Sequence, residues 1–483
     1  MPSSLRTDPS APDPASRRKW AAVAVLLLAN FMNLIDITIV NVALPSMQEE
    51  LSAPANLIEW IVAGYTFSFA LLLLPAGRMG DLYGRRRMFV IGIAIFTLAS
   101  LVCGLAPGIG TLVAARVVQG VGAAIMTPQT LALVPRLFPP DQRGAAFGLF
   151  ALTAGLATVT GPILGGLLIG SDLFGLTWRP IFLVNIPLGI VALIGAWLLV
   201  PRAEGDARLG TDGIGILLAA LAMLAVLVPL IEAPSLGWQA WMAVPILAAA
   251  PLGWAFLRWQ RRQEARKRPQ LLPMRLARSG PFLTGGLLSA VLFSAAPAYF
   301  FTMALYLQSG YGLTPLQSGL TTTPFPLGVL VASATTGWFG SRWMRGRVVG
   351  GGILLAIGFV GQGWAVMGMG TEISWLRMAP WFFLGGLGLG NIVSPLYQIA
   401  LGAAGDDDTG SASGAVQAIR QVGIAFGVAI MGGVFFAILG DAAQGDQSAY
   451  RAAMLGAIGY ACLVALTIVA APFFAPMQLP EET

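Results

Sequence analysis

The chain has no histidine, two cysteines and few charges: 10% of its 483 residues are Asp, Glu, Lys or Arg, against about 25% in a soluble domain. Each shortage excludes a class of protein. Without imidazole there is no Ser-His-Asp triad, no His-ligated zinc or haem, and no ordinary side chain that titrates near neutral pH. Cys103 and Cys462 lie inside long apolar runs, so they read as free buried thiols, not as a disulfide framework or a metal site. With 56% hydrophobic residues, 60 glycines and a mean hydropathy of +0.77, a water-soluble globule of this size is excluded too. The remaining solvent for so much apolar surface is lipid.

What the sequence has in abundance is long apolar runs. A membrane-crossing helix needs about 20 such residues. Fourteen runs qualify, at 20–45, 57–77, 88–106, 111–134, 144–169, 180–200, 213–231, 238–257, 281–307, 316–340, 348–369, 375–403, 411–439 and 451–474. They are too long and too uniform for barrel strands, which need about 10 alternating residues. With the N-terminus placed inside, 23 of the 28 Lys and Arg residues fall on that side. Only Arg179, Arg377 and Arg451 fall outside, and Arg116 and Arg420 lie within spans. This asymmetry predicts a multi-pass protein of the cell membrane with both termini cytoplasmic. It also makes the net charge of +6 a matter of membrane orientation, not of nucleic-acid binding.

The ends and connectors follow from composition. Residues 1–19, rich in Pro, Ser and Asp, read as a disordered cytoplasmic tail, and 475–483 as a second tail. The run after Lys19 is too long for a signal peptide and has no small-residue cleavage site, so it is expected to be a retained span. The basic stretch 258–278 reads as a solvated connector lying against anionic headgroups.

The chain also repeats itself. At an offset of 260, Gly77, Gly80, Arg85 and Arg87 align with Gly337, Gly340, Arg345 and Arg347, while Asp81 aligns with Ser341. A weaker match sets Gly120-Val121-Gly122 against Gly386-Leu387-Gly388, each followed by a hydroxyl-Pro pair, Thr127-Pro128 and Ser394-Pro395. The expected organisation is a six-helix half over 20–200, two inserted helices with the basic connector over 201–280, and a second six-helix half over 281–474. Two such halves around a midplane site is the pattern of secondary transporters.

Four motifs, in order on the matching spans, carry a resemblance. Leu34 to Pro45 (LIDITIVNVALP) is similar to the first-helix signature of the fourteen-span drug:proton antiporters of the major facilitator superfamily (EmrB/QacA type). The loop Gly77 to Arg87, with Gly77, Gly80, Asp81, Gly84, Arg85 and Arg86, resembles that superfamily's signature loop. Leu112 to Ala124, with Arg116, Gln119, Gly120 and Gly122, resembles its fourth-helix motif. Gly155 to Gly166, with Gly161, Pro162, Gly165 and Gly166, resembles the fifth-helix antiporter motif. Arg420-Gln421-Val422-Gly423 is also similar to this family. The resemblance implies an all-α major facilitator fold of fourteen helices, export of amphiphilic, often cationic, compounds in exchange for protons, and a proton-coupling role for the fourth-helix arginine. It also implies that the signature loop acts as a cytoplasmic clamp.

Intramembrane ionisable groups are the candidates for function. A charge at the bilayer centre costs about 2.5–3.5 kcal/mol on insertion scales. Asp36 is the only carboxylate clearly deep in a span. Burial raises its proton affinity and a nearby cation lowers it, so a carboxylate between the two can load and release a proton. Arg116 is the natural partner. Counting residues from the span ends puts both about 9–14 Å below the outer surface. Static pairing that only locks helices is the alternative.

The expected substrate cavity takes residues from both halves. Asn33 shares the Asp36 face, whereas Asn41 is turned away and is expected to bond a neighbouring helix. Tyr65 and Phe69 lie deeper on the second span than Glu59 and Trp60, where an aromatic belt competes with cation binding. Gln417, Arg420 and Gln421 form one polar stripe on the thirteenth span, with Tyr397 and Gln398 on the twelfth as weaker candidates.

The mechanical motifs complete the reading. The small residues and Pro162 of the fifth span suit a helix at a moving seam. Gly385 to Gly390 reads as helix packing, not a nucleotide loop. Asp81 is expected to cap or pair near the start of the thirteenth span, and Arg342 or Arg345 to face Asp141. Asp406-Asp407-Asp408 has no second acidic cluster to complete a metal-diphosphate site, so it reads as a cytoplasmic turn facing the basic loops. No metal and no cofactor are expected beyond a proton gradient. The expected partners are a small-molecule substrate, protons and lipid, with no nucleic acid. The expected working unit is a monomer, and nothing in the sequence points to a periplasmic adaptor. Rival readings are the same fold exporting one metabolite, such as a siderophore or amino acid, and a membrane enzyme on lipid-linked substrates, which the missing His and paired acids disfavour.

Overall fold

The computed structural model describes residues 14–53, 55–171, 175–202, 204–206, 208, 210–236, 239–339, 343–405, 408–440 and 445–474, and among them the regular structure is entirely helical. In chain order the long helices are α1 (Pro14–Glu50), α2 (Ala55–Tyr83), α3 (Arg85–Gly104), α4 (Ile109–Leu137) and α5 (Pro140–Gly170). Next come α6, in two pieces (Pro180–Leu183 and Asn185–Leu199), α7 (Gly213–Leu236), α8 (Ala243–Ala265) and α9 (Gly280–Leu305). The last are α10, again in two pieces (Pro315–Thr322 and Pro324–Phe339), α11 (Met344–Met367), α12 (Trp375–Gly402), α13 (Thr409–Leu439) and α14 (Gln447–Ala470).

Thirteen helices among the described residues are long and apolar enough to cross a membrane. The expected tenth span is the exception. Pro324 and Pro326 have no N–H to bond the carbonyls of Leu320 and Thr322, so the helix breaks at Thr323 and neither piece spans alone. Pro187 does the same to the carbonyl of Leu183, and α6 breaks at Val184. Two further boundaries differ from expectation. The first helix starts at Pro14, so the last residues of the expected tail are helical, and residues 1–13 and 475–483 lie outside the described residues. The helix α8 runs on to Ala265, carrying Arg258, Arg261 and Arg262 out of the expected connector.

Glycine sets how closely the helices approach. A Cβ on Gly120 would collide with the Tyr65 carbonyl on α2, and one on Gly122 with the Phe96 backbone on α3. The matching residues of the repeat behave alike: Gly386 is pressed against the Phe325 carbonyl on α10, and Gly388 against Leu355 on α11. In lipid, where apolar side chains gain nothing by leaving the solvent, such backbone approach drives association. The packing of α4 on α2 and α3 therefore recurs as α12 on α10 and α11, and α1 on α5 recurs as α9 on α13. The two sets meet where α2 packs on α13 and where α5 packs on α10 and α12.

These meeting surfaces are hydrogen-bonded on the side of the Arg-rich loops. Ser413 donates to the Pro128 carbonyl at 2.6 Å, Ser394 to the Gly144 carbonyl at 2.9 Å and Ser333 to the Gly148 carbonyl at 2.8 Å. The basic side is closed in this structure.

Candidate functional site

The deepest polar cluster is built on four helices. Asp36, halfway along α1, is fully buried, as are Arg116 and Gln119 on α4, Ser100 on α3 and Asn185 on α6. Arg116 and Gln119 stand three residues apart, hence on one face of α4. Arg116 Nη1 donates to Asp36 Oδ2 at 2.5 Å, and Gln119 Nε2 to Asp36 Oδ1 at 2.8 Å. Asn185 Nδ2 donates to the same Oδ1 at 3.1 Å. The carboxylate is thus met by three donors, the arrangement that suits its ionised form. The arginine is held in turn: Nε donates to the Ile61 carbonyl at 2.9 Å, Nη1 also reaches Gln119 Oε1 at 2.6 Å, and its Cζ lies 4.3 Å over the Tyr65 ring. Ser100 Oγ accepts from Gln119 Nε2 at 2.8 Å and donates to the Phe96 carbonyl.

Tyr65 links this cluster to the expected cavity residues of the first six helices. Its hydroxyl donates to Asn33 Oδ1, Asn33 Nδ2 lies 3.5 Å from Thr127 Oγ1, and its ring stacks on Phe69. Asn41 departs from expectation: it is exposed, and its amide turns back to the Ile37 carbonyl of its own helix. Trp60 is exposed as an interfacial residue would be, and the Glu59 side chain lies outside the described residues.

In the last six helices Arg420 and Tyr397 come together, with Arg420 Nη1 donating to the Tyr397 hydroxyl at 2.8 Å and the guanidinium stacked on Phe293. Gln417 is buried, and its Oε1, like Arg420 Nε, has no partner among the described residues. Gln421 is half-buried beside them. Gln398 instead bonds Ser394, which crosses to α5.

The signature loop sits on the closed side. Asp81 Oδ1 accepts from Arg85 Nη2 and from the Gly410 N–H, both at 2.9 Å. Its Oδ2 accepts from the Ser411 N–H at 2.8 Å and hydroxyl at 3.0 Å. A carboxylate of α2 therefore caps the N-terminus of α13, where free N–H groups and the helix dipole favour negative charge. Gly77 and Gly80 make room for this, since a Cβ on either would strike Gly410 or Gln129. Gly84, at φ 94°, supplies a left-handed turn between α2 and α3. Arg86 lies on the Trp197 ring and donates to its carbonyl. Asp408 joins Arg78 at 3.5 Å and Arg275 of the connector at 2.5 Å. Asp406 and Asp407 lie outside the described residues, and no cluster that could hold a metal occurs among those described.

Arg345 stacks on Phe473, while Arg342 and the Asp141 side chain, the other members of the expected contact, lie outside the described residues. One expectation is corrected here. The antiporter-motif face is split: Gly155 meets Pro326 across the seam, Gly161 and Gly165 press on Thr38 and Ile39 of α1, and Gly166 meets nothing. Two site residues escaped the sequence reading, Ser100 and Asn185. The signal was available for Asn185, since an amide two residues before a helix-breaking proline in an apolar run must find a partner.

The sequence model described as "Major Facilitator Superfamily" matches residues 26–428. The chain belongs to the major facilitator superfamily. It is therefore a multi-pass membrane transporter and not an enzyme. It is 38% identical over 442 residues to the probable actinorhodin transporter of Streptomyces coelicolor, covering 91% of this chain and 76% of that one. It is 34% identical to the puromycin resistance protein of Streptomyces alboniger (94% and 91%), and 31% to the tetracenomycin C resistance and export protein of Streptomyces glaucescens (88% and 77%). Among solved structures, the proton:xylose symporter XylE matches this major facilitator chain with a TM-score of 0.62 at 14% identity, covering 94% of this chain and 95% of its own. The human organic anion transporter MFSD10 matches with 0.59 at 16% identity, covering 93% and 99%.

Proposed function

We propose that this transporter is a proton-coupled exporter of amphiphilic, drug-like compounds, working by alternating access with both termini in the cytoplasm. The observation that carries the reading is the fully buried Asp36–Arg116 pair in a cage of amides. An ion pair placed only for stability is poorly rewarded in a low dielectric, since apolar residues of similar volume serve as well or better. Relatives named for antibiotic export and resistance support the cargo class.

The cycle follows from charge. In the state closed on the basic, cytoplasmic side, ionised Asp36 balances Arg116. A proton arriving from outside neutralises Asp36 and leaves a buried guanidinium without its counter-charge, at a cost of about 3–5 kcal/mol. That exceeds the 1–3 kcal/mol a coupling free energy typically needs. Relief comes from rearrangement toward cytoplasmic opening, which separates Asp81 from the α13 N-terminus. Arg116 lies on Tyr65, and Tyr65 holds Asn33, so movement of the arginine reaches the cavity. Across the cavity, the unpartnered Gln417 Oε1 and Arg420 Nε are polar contacts for cargo.

The test is export from proteoliposomes of a panel of lipophilic cations, neutral aromatics and small metabolites, with and without an imposed proton gradient. Gradient-driven export of several amphiphiles is the expected result. Uphill export that ignores the gradient, or transport confined to one metabolite, would overturn it.

A further inference from the structure

The cage around Asp36 is lopsided. Arg116 has only donors. Gln119 presents its Nε2 to the carboxylate, while its Oε1 is occupied by Arg116 Nη1. Asn185 also presents a donor. An ionised carboxylate is well served by this set, but a carboxylic acid is not, because its O–H needs an acceptor. A buried donor without one costs about 1–3 kcal/mol. One acceptor beside the acid is free. Asn185 Oδ1 is buried and has no partner among the described residues, although the other end of the same amide already touches Asp36.

We propose that Asn185 is the positioning residue that follows the proton on Asp36: its amide donates to the carboxylate and, turned over, accepts from the acid. Turning about the side chain's last bond exchanges Nδ2 for Oδ1 at the same place. The acid O–H then points to Oδ1, at the end of the amide that Ser100 Oγ also neighbours at 3.5 Å. The break at Val184 puts Asn185 in the first turn of the second α6 piece, where the helix backbone imposes no continuous ladder. The remaining titratable groups around the acid are Arg116 on α4, Tyr65 on α2 and Cys103 on α3. The charged residues of α5, Asp141 and Arg143, lie at its far, basic end. None of these supplies a free acceptor as Asn185 does. This inference rests on Asp36 being the proton carrier.

The test separates the two. In purified protein, the carboxylic-acid C=O infrared band that disappears in Asp36→Asn reports the acid directly, and its pH midpoint is followed in three variants. Asn185→Leu has similar volume but can neither donate nor accept; the carboxylate keeps its donors Arg116 and Gln119 while the acid loses its acceptor, so the midpoint should fall by about one pH unit, a tenfold loss of proton affinity. Asn185→Thr, whose hydroxyl both donates and accepts, should restore the midpoint. Asn185→Ala leaves room for a water that does the same, so it should sit closer to wild type than the better-packed Leu variant. A role in packing alone predicts the reverse order for Ala and Leu. An unmoved midpoint in Asn185→Leu, or a Thr variant as shifted as Leu, overturns the inference. Absence of any band lost in Asp36→Asn removes the proton role of Asp36, and this inference with it.

Discussion

Asp36 and Arg116 stabilise the fold only as a pair. Removing the carboxylate or the guanidinium strands a charge in a fully buried site, so each single change is worse than both together. Arg116→Leu should lower stability by about 3–5 kcal/mol, and adding Asp36→Asn to it should recover most of the lost melting temperature. Thermal melts in detergent measure this, and additive losses would contradict the pairing. Both partners were legible from sequence, because charge is rare in these runs and residue counting gives depth. For Asn185 only the need of a partner was legible, and for Ser100 nothing, because neutral polar residues gain a role only through the helices packed against them. Asn185 is 149 residues from Asp36 and reaches it only once α6 lies on α1.

At the scale of helices, small residues and caps decide what can move. Asp81→Asn keeps an acceptor for one N–H of α13 but turns an amide donor toward another and loses the charge. The cap loss is about 1–2 kcal/mol, enough to shift an open–closed balance roughly 5–30-fold. Spin-label distances between the basic ends of α2 and α13 should show a larger separated population, and an unchanged distribution would contradict the cap as gate. The antiporter motif gives a sharper contrast. Gly161→Ala drives a methyl into Thr38 and should lower melting temperature and export, whereas Gly166→Ala faces open space and should do neither. Equal effects would mean that the motif does not act through helix approach. Sequence alone grouped these glycines on one moving face, since spacing shows which residues share a helix but not which neighbour each meets. The break in α10 was within reach, as two prolines two residues apart in an apolar run leave carbonyls unpaired.

Across the whole molecule the two sides differ in chemistry. The basic side is tied by the Asp81 cap and by Asp408 between Arg78 and Arg275. On the opposite side Glu50, at the end of α1, takes bonds from Thr177 and Arg179, with Arg179 stacked on Trp178. Burial would raise the Glu50 carboxyl, but the Thr177 hydroxyl and the Arg179 guanidinium outweigh it and hold it below the usual carboxylate range. Because the folded value is depressed, this contact contributes stability above the ordinary value near ~4.3 and loses it as pH falls through the folded one. Melts followed by Trp178 fluorescence should therefore drop more on acidification in wild type than in Glu50→Gln, and parallel curves would contradict it. The central proposal is that cargo and proton meet through Asp36. The most direct measurement is proton release when a transported amphiphile is added to purified protein in weakly buffered detergent. Release is predicted in wild type and none in Asp36→Asn, which still binds. Equal release from both proteins would contradict it.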